Sequence, residues 1–188
     1  MHEPTPSAPV VAKLGREIRW DAAAAIVASL VGLLALLVAG YTAYIQRQQV
    51  RAQVWPWLLG GFSGGNKELI WINKGVGPAI IRNVEVSIDG KPQSDWKAVF
   101  RSLGVKVPEF YQSTLNDNVI SAGEKVDWLQ FQDKADYDQF KLLEPRVHVN
   151  VCYCSTLGDC WIVDSSTGNG RKAVDTCPRL PAASQFHD

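Results

Sequence analysis

A chain of 188 residues has room for one globular domain with an appendage, since domains run to about 100–200 residues. Its 19 basic and 19 acidic side chains cancel to a formal net charge of +0, and no Lys/Arg run is present, so the electrostatic footprint of a nucleic-acid binder is missing and nucleic acid is not an expected partner. A mean hydropathy near zero averages one almost wholly apolar stretch with a remainder of ordinary soluble composition.

The first 20 residues, with Pro4, Pro6 and Pro9 set among Ser and Ala, lack apolar periodicity and read as a flexible cytoplasmic tail. From 21 to 46 the pattern changes. No charge interrupts the chain between Asp21 and Arg47, and residues 22–45, at 1.5 Å each, would make a helix of about 36 Å, enough to cross a ~30 Å hydrocarbon core. Trp20 on one side and Tyr41, Tyr44, Trp55 and Trp57 on the other suit interfacial aromatic belts, where a ring keeps one edge wet. Ala24, Ala28 and Gly32 place small residues four apart, a stripe against which another helix, from a partner or a second copy, could pack closely. Two rivals stand against a membrane helix. A cleaved signal peptide has an apolar region of about 7–15 residues behind a short basic start, which a 21-residue polar leader and a longer apolar run do not match; Val38, Ala39 and Gly40 nevertheless resemble a cleavage site. A buried core helix seldom goes so long without a polar residue.

Lys13, Arg16 and Arg19 precede the helix and Arg47 and Arg51 follow it, a difference that leans only weakly toward a cytoplasmic N-terminus. Cysteine placement speaks more clearly. Cys152, Cys154, Cys160 and Cys177 all lie in the C-terminal portion, as expected for a domain folding where disulfides persist, periplasmic or extracellular, outside a cytoplasmic (inner) membrane.

Residues 47–57 form the linker, helical to about 53, before Trp55-Pro56-Trp57 turns the chain extended. The domain proper, 58–180, reads as short strands. Residues 68–73 are one; Lys74-Gly-Val-Gly-Pro78 then forces a turn. Residues 79–88 make a longer strand closed by Asp89-Gly90, a strong hairpin signal because this pair accepts positive φ. Further strands are expected over 125–131, 146–154, 160–163 and, weakly, 171–174. Two segments break the period of two. Trp96, Val99, Phe100 and Leu103 recur at helical spacing behind a cap at Ser94 or Asp95, and residues 135–143 place Tyr137, Phe140 and Leu143 on one side. Trp71, Trp96, Trp128 and Trp161 fall within apolar runs and are expected in the core. The fold class is therefore mainly β: an immunoglobulin-like β-sandwich with one or two short helical insertions, behind one N-terminal transmembrane helix. Residues 181–188 read as a second tail.

Along 146–154 the alternation puts His148, Asn150, Cys152 and Cys154 on one face. Structural zinc sites draw cysteine pairs from tight turns, whereas Cys-x-Cys in an extended strand separates its α-carbons by about 6.6 Å. Disulfides are therefore preferred over a metal site. Four cysteines allow three pairings; the preferred one joins Cys154 to Cys160 across the turn at 155–159 and Cys152 to Cys177.

The run Asn73-Lys-Gly-Val-Gly-Pro-Ala79, continuing through Asn83-Val-Glu-Val-Ser-Ile-Asp-Gly90, resembles a loose group of uncharacterised bacterial single-pass membrane proteins. These carry an Asn-x-Gly-x-Gly-Pro-Ala turn inside a β-sandwich and often a Cys-Tyr-Cys-Ser…Cys-Trp segment like 152–155 with Cys160 and Trp161. The resemblance implies an extracytoplasmic sandwich. No activity attaches to that group, so it carries no catalytic residue across.

The search for chemistry is mostly negative. Neither nucleotide-loop fingerprint surrounds Gly75 and Gly77, Asp133, Asp136 and Asp138 miss the calcium-loop spacing, and His148 has no nucleophile elbow beside it. No catalytic residue, cofactor or metal ligand is expected. The expectation is a membrane-tethered, non-enzymatic binding or accessory module with a lipid bilayer and a protein partner or second copy; the alternatives are a membrane-anchored envelope enzyme and a cleaved secreted sandwich.

Overall fold

A stretch free of charge and proline lets one helix run without a break. In the computed structural model, which describes residues 20–168, 170–181 and 184–188, α1 spans Trp20–Gln53 over 34 residues. None of them is buried, and the helix is long and apolar enough to cross a membrane. It continues through 46–53 as expected, and ends before Pro56, which holds Trp55 out of the helical region. The tail expected over 1–20 lies outside the described residues except for Trp20. The chain divides into two units, Met1–Gln46 and Arg47–Asp188, and all the described strands belong to the second.

Two antiparallel sheets build that unit. The first contains β1 (Leu58–Ser63), β2 (Glu68–Asn73), β5 (Phe110–Gln112) and β7 (Lys125–Phe131), in the order β1-β2-β7-β5. The second contains β3 (Ala79–Ile88), β4 (Lys91–Gln93), β6 (Val119–Ile120), β8 (Val147–Cys154), β9 (Cys160–Asp164) and β10 (Gly170–Val174), in the order β10-β9-β8-β3-β4 with β6 against β3. Six of these ten strands fall where alternation and turn chemistry put them. Asp89 and Gly90 adopt φ of 50° and 80°, and Ile88 pairs with Lys91 across them, so the two-residue hairpin sets β4 beside β3.

Helix α2 (Trp96–Leu103) is capped by Asp95, whose carboxylate accepts from the Ala98 N–H at 2.8 Å, and stops at Gly104 with φ 76°. Helix α3 (Lys134–Leu143) is capped by Asp133. Both turn their aromatic residues inward: Trp96 and Phe100 from α2, Tyr137 and Phe140 from α3 join Trp71, Trp128 and Phe131 of the first sheet and Val84, Val149 and Val151 of the second in one core. Trp96 and Trp128 meet edge to face, with ring centres 4.7 Å apart, the arrangement that ring quadrupoles favour. Trp161 departs from expectation: it is half-buried, stacked on Tyr153 with ring centres 5.7 Å apart.

The tail expected over 181–188 is corrected. Phe186 is 1% exposed, its ring 5.2 Å from Trp96 and 5.7 Å from Trp128. Asp188 accepts from the Trp128 indole N–H at 2.6 Å and from the Leu115 N–H at 2.7 Å. One large apolar residue in a short segment has no period to read; aromatic neighbours distant in sequence make its burial favourable.

Candidate functional site

The segment leaving α1 is seized at once by the turn between β2 and β3. Asn73, fully buried, accepts from the N–H groups of Trp57 at 3.0 Å and Gly75 at 2.9 Å, and donates to the carbonyls of Gly77 at 2.8 Å and Ile120 at 3.0 Å. The backbone completes the grip: Lys74 N–H donates to Trp57 O at 2.7 Å and Val76 N–H to Trp55 O at 2.9 Å. The two glycines serve close approach here. A Cβ on Gly75 would lie 2.4 Å from Trp55 O, and one on Gly77 would lie 2.1 Å from Val54 O, distances no side-chain carbon tolerates. The sequence pattern was legible as a turn; its second role, as a clamp on residues 54–57, depends on chain remote in sequence.

Beyond the clamp, Trp55 and Trp57 engage Arg171 of β10. The guanidinium carbon lies 4.4 Å from the Trp55 ring centre, 4.0 Å from that of Trp57 and 5.3 Å from that of Trp161, and Nη1 donates to Pro56 O at 3.3 Å. Arg171 is the residue sequence reading missed. Its partners come from two stretches of chain, 55–57 and Trp161, and a lone Arg in a weak strand gives no signal.

Between β1, β8 and α3 lies a cleft of about 230 Å³ lined by Phe62, Leu69, Trp71, Phe140, Val147 and Val149 among others, with Glu144 the one titratable lining residue among the described residues. Elsewhere a buried carboxylate is matched: Glu68 of β2, 2% exposed, accepts from Lys125 at 3.0 Å. Lys125 also meets Asp127 at 2.6 Å, and the hydrogen bonds it donates to Asp127 first and Glu68 second hold the ammonium above its usual range.

All four cysteines are bridged, Cys152 to Cys177 and Cys154 to Cys160, the pairing preferred from sequence. Ala24, Ala28 and Gly32 lie exposed along α1, and a Cβ on Gly32 would meet nothing within 4 Å. Trp20, Tyr41 and Tyr44 are likewise exposed on α1. His148 is half-buried on β8, opposite Ser87. Comparison with protein-family models, with curated proteins and with solved structures gives no match.

Proposed function

We propose that the chain is a single-pass protein of the cytoplasmic (inner) membrane, N-terminus cytoplasmic, presenting a disulfide-stabilised, immunoglobulin-like β-sandwich on the periplasmic or extracellular side as a non-enzymatic binding or accessory module. The observation that carries this reading is α1: 34 residues with none buried, whose leucine, isoleucine and valine side chains would each cost about 1.5–3 kcal/mol to hold in water instead of an apolar medium. A bilayer removes that cost. Two disulfides support an oxidising compartment on the far side. Two antiparallel sheets around one aromatic core support the sandwich class. The apolar lining of the cleft supports recognition over chemistry, because acid–base or nucleophilic catalysis needs convergent titratable groups.

Within this reading Trp20, Tyr41 and Tyr44 anchor the helix at the two interfaces. Trp55 and Trp57 are committed to Arg171. The stripe of Ala24, Ala28 and Gly32 seats the partner helix. The test is purification of the full chain from membranes in a mild detergent, with mass spectrometry of stoichiometric companions. A membrane-protein companion lost in an Ala28→Leu, Gly32→Leu variant is the expected result; recovery of the wild-type chain in the soluble fraction contradicts the reading.

A further inference from the structure

The two disulfides touch. Cys152 and Cys154, two residues apart on β8, present their sulfurs on the same face. Cys152 reaches out to Cys177, and Cys154 joins its direct cross-strand partner Cys160. Between the bridges, Cys154 Sγ lies 3.8 Å from Cys177 Sγ, and the sulfurs of Cys154, Cys160 and Cys177 all fall within 4.8 Å of one another. Cys152, Cys154 and Cys160 are buried, whereas Cys177 is half-buried. An open groove runs past Cys154, Cys160 and Cys177 with Arg82, Asp175 and Arg179 along it.

We propose that this pair is a thiol–disulfide exchange site, which answers a dithiol reductant by moving a bridge. The dithiol supplies two electrons and leaves as its own disulfide. When it opens Cys154–Cys160, the Cys154 thiolate faces Cys177. Attack on Cys177 Sγ forms Cys154–Cys177, breaks Cys152–Cys177, and releases Cys152 as a thiolate that takes a proton from solvent. When the dithiol opens Cys152–Cys177 instead, the Cys177 thiolate attacks Cys154 Sγ and Cys160 is released. Both routes converge on one two-electron state, with a Cys154–Cys177 bridge and thiols at Cys152 and Cys160. Exchange itself consumes no electrons. The guanidinium groups of Arg82 and Arg179 along the groove favour the thiolate that each route needs.

The consequence is a graded response. In the half-reduced state the segment carrying Cys177 stays tied to β8, while the β8–β9 turn at 155–159 loses its cross-link and thiols stand at Cys152 and Cys160, able to exchange only with a partner that brings a disulfide. The proposal requires only the folded domain and is independent of the membrane reading.

The test is limited reduction of the full chain, in lipid nanodiscs, with one molar equivalent of dithiothreitol. Acid quenching stops exchange by protonating thiolates; the samples are then denatured, alkylated with N-ethylmaleimide and mapped by peptide mass. Expected are labels on Cys152 and Cys160 in most half-reduced molecules, with the Cys154–Cys177 cross-linked peptide. Labels confined to Cys154 and Cys160, or to Cys152 and Cys177, with the other original bridge intact, overturn the proposal. A Cys152→Ser, Cys160→Ser double variant gives a second readout. Folded and air-oxidised, it is expected to show complete loss of free thiol; two free thiols in the folded variant overturn the exchange geometry, and should the variant fail to fold, the wild-type mapping decides.

Discussion

Replacing Asn73 probes the clamp most sharply, because one side chain serves four backbone groups and is fully buried. In Asn73→Ala all four lose their partner. At about 1 kcal/mol each the loss is about 4 kcal/mol, and with an unfolding entropy of roughly 2.1 cal/mol/K per residue over about 140 residues the melting temperature falls by about 14 °C. Asn73→Asp separates the two halves of the site. The carboxylate still accepts from Trp57 and Gly75, yet sets an oxygen where Nδ2 now lies 2.8 and 3.0 Å from the carbonyl oxygens of Gly77 and Ile120. Repulsion and burial raise the folded-state pKa of the introduced acid above its unfolded value of about 3.9. The folded form therefore binds the extra proton, so the deficit is full above the raised pKa and shrinks as pH falls toward about 4. The assay is thermal unfolding of the full chain in nanodiscs by tryptophan fluorescence, with hydrogen exchange at 55–57 and 74–77. An Asn73→Ala melting point within about 3 °C of the parent, or an Asn73→Asp deficit that does not vary with pH, refutes the clamp.

Removing the Cys152–Cys177 bridge, whose cysteines are 25 residues apart, should cost about 3.5 kcal/mol by loop closure. Removing Cys154–Cys160, with 6, should cost about 2 kcal/mol; denaturant titration of the paired serine variants checks the order. Phe186→Ala should destabilise by about 3–5 kcal/mol, and a change under about 1 kcal/mol in the same titration would mean that the segment is a tail after all. Burial pushes the Asp95 carboxyl up, but the Ala98 N–H, the Ser94 hydroxyl and the Arg101 charge outweigh it and hold the group below its usual range. Its contribution is therefore present above about pH 4 and lost as pH falls through the lowered value. Asp95→Asn keeps a cap without charge, so parent and variant should converge below that pH in acid denaturation; Asp95→Ala should cost about 1 kcal/mol at neutral pH.

Much of the domain was legible because its local signals agree with its packing. The alternation of 79–88 and 146–154, the Asp89-Gly90 turn, and the Trp96, Val99, Phe100, Leu103 stripe each state a periodicity that the core then uses. The cysteine pairing was legible for the same reason: a short turn leaves Cys154 opposite Cys160, and Cys152 is left for Cys177. What escaped depends on contacts between distant segments. β1 contains Gly60 and Gly61, which carry no strand signal, although Gly60 is where the Trp71 ring lies against the backbone, 3.0 Å from where a Cβ would stand. β4 contains Pro92 and sits at a sheet edge, where a missing N–H is tolerated. β5 and β6 have three and two residues, too few to show a period. The clamp on 54–57, the Arg171 stack and the docking of Phe186 are all long-range, and composition carries no trace of them.

Placement of α1 in lipid, with the bridged domain beyond it, is tested most directly by counting thiols on the chain in carbonate-washed membranes, using a maleimide–polyethylene glycol that adds visible mass per cysteine after denaturation. The chain is expected in the membrane pellet, unmodified without reductant and shifted by four additions after it. Recovery in the carbonate supernatant, or four additions without reductant, would contradict the account.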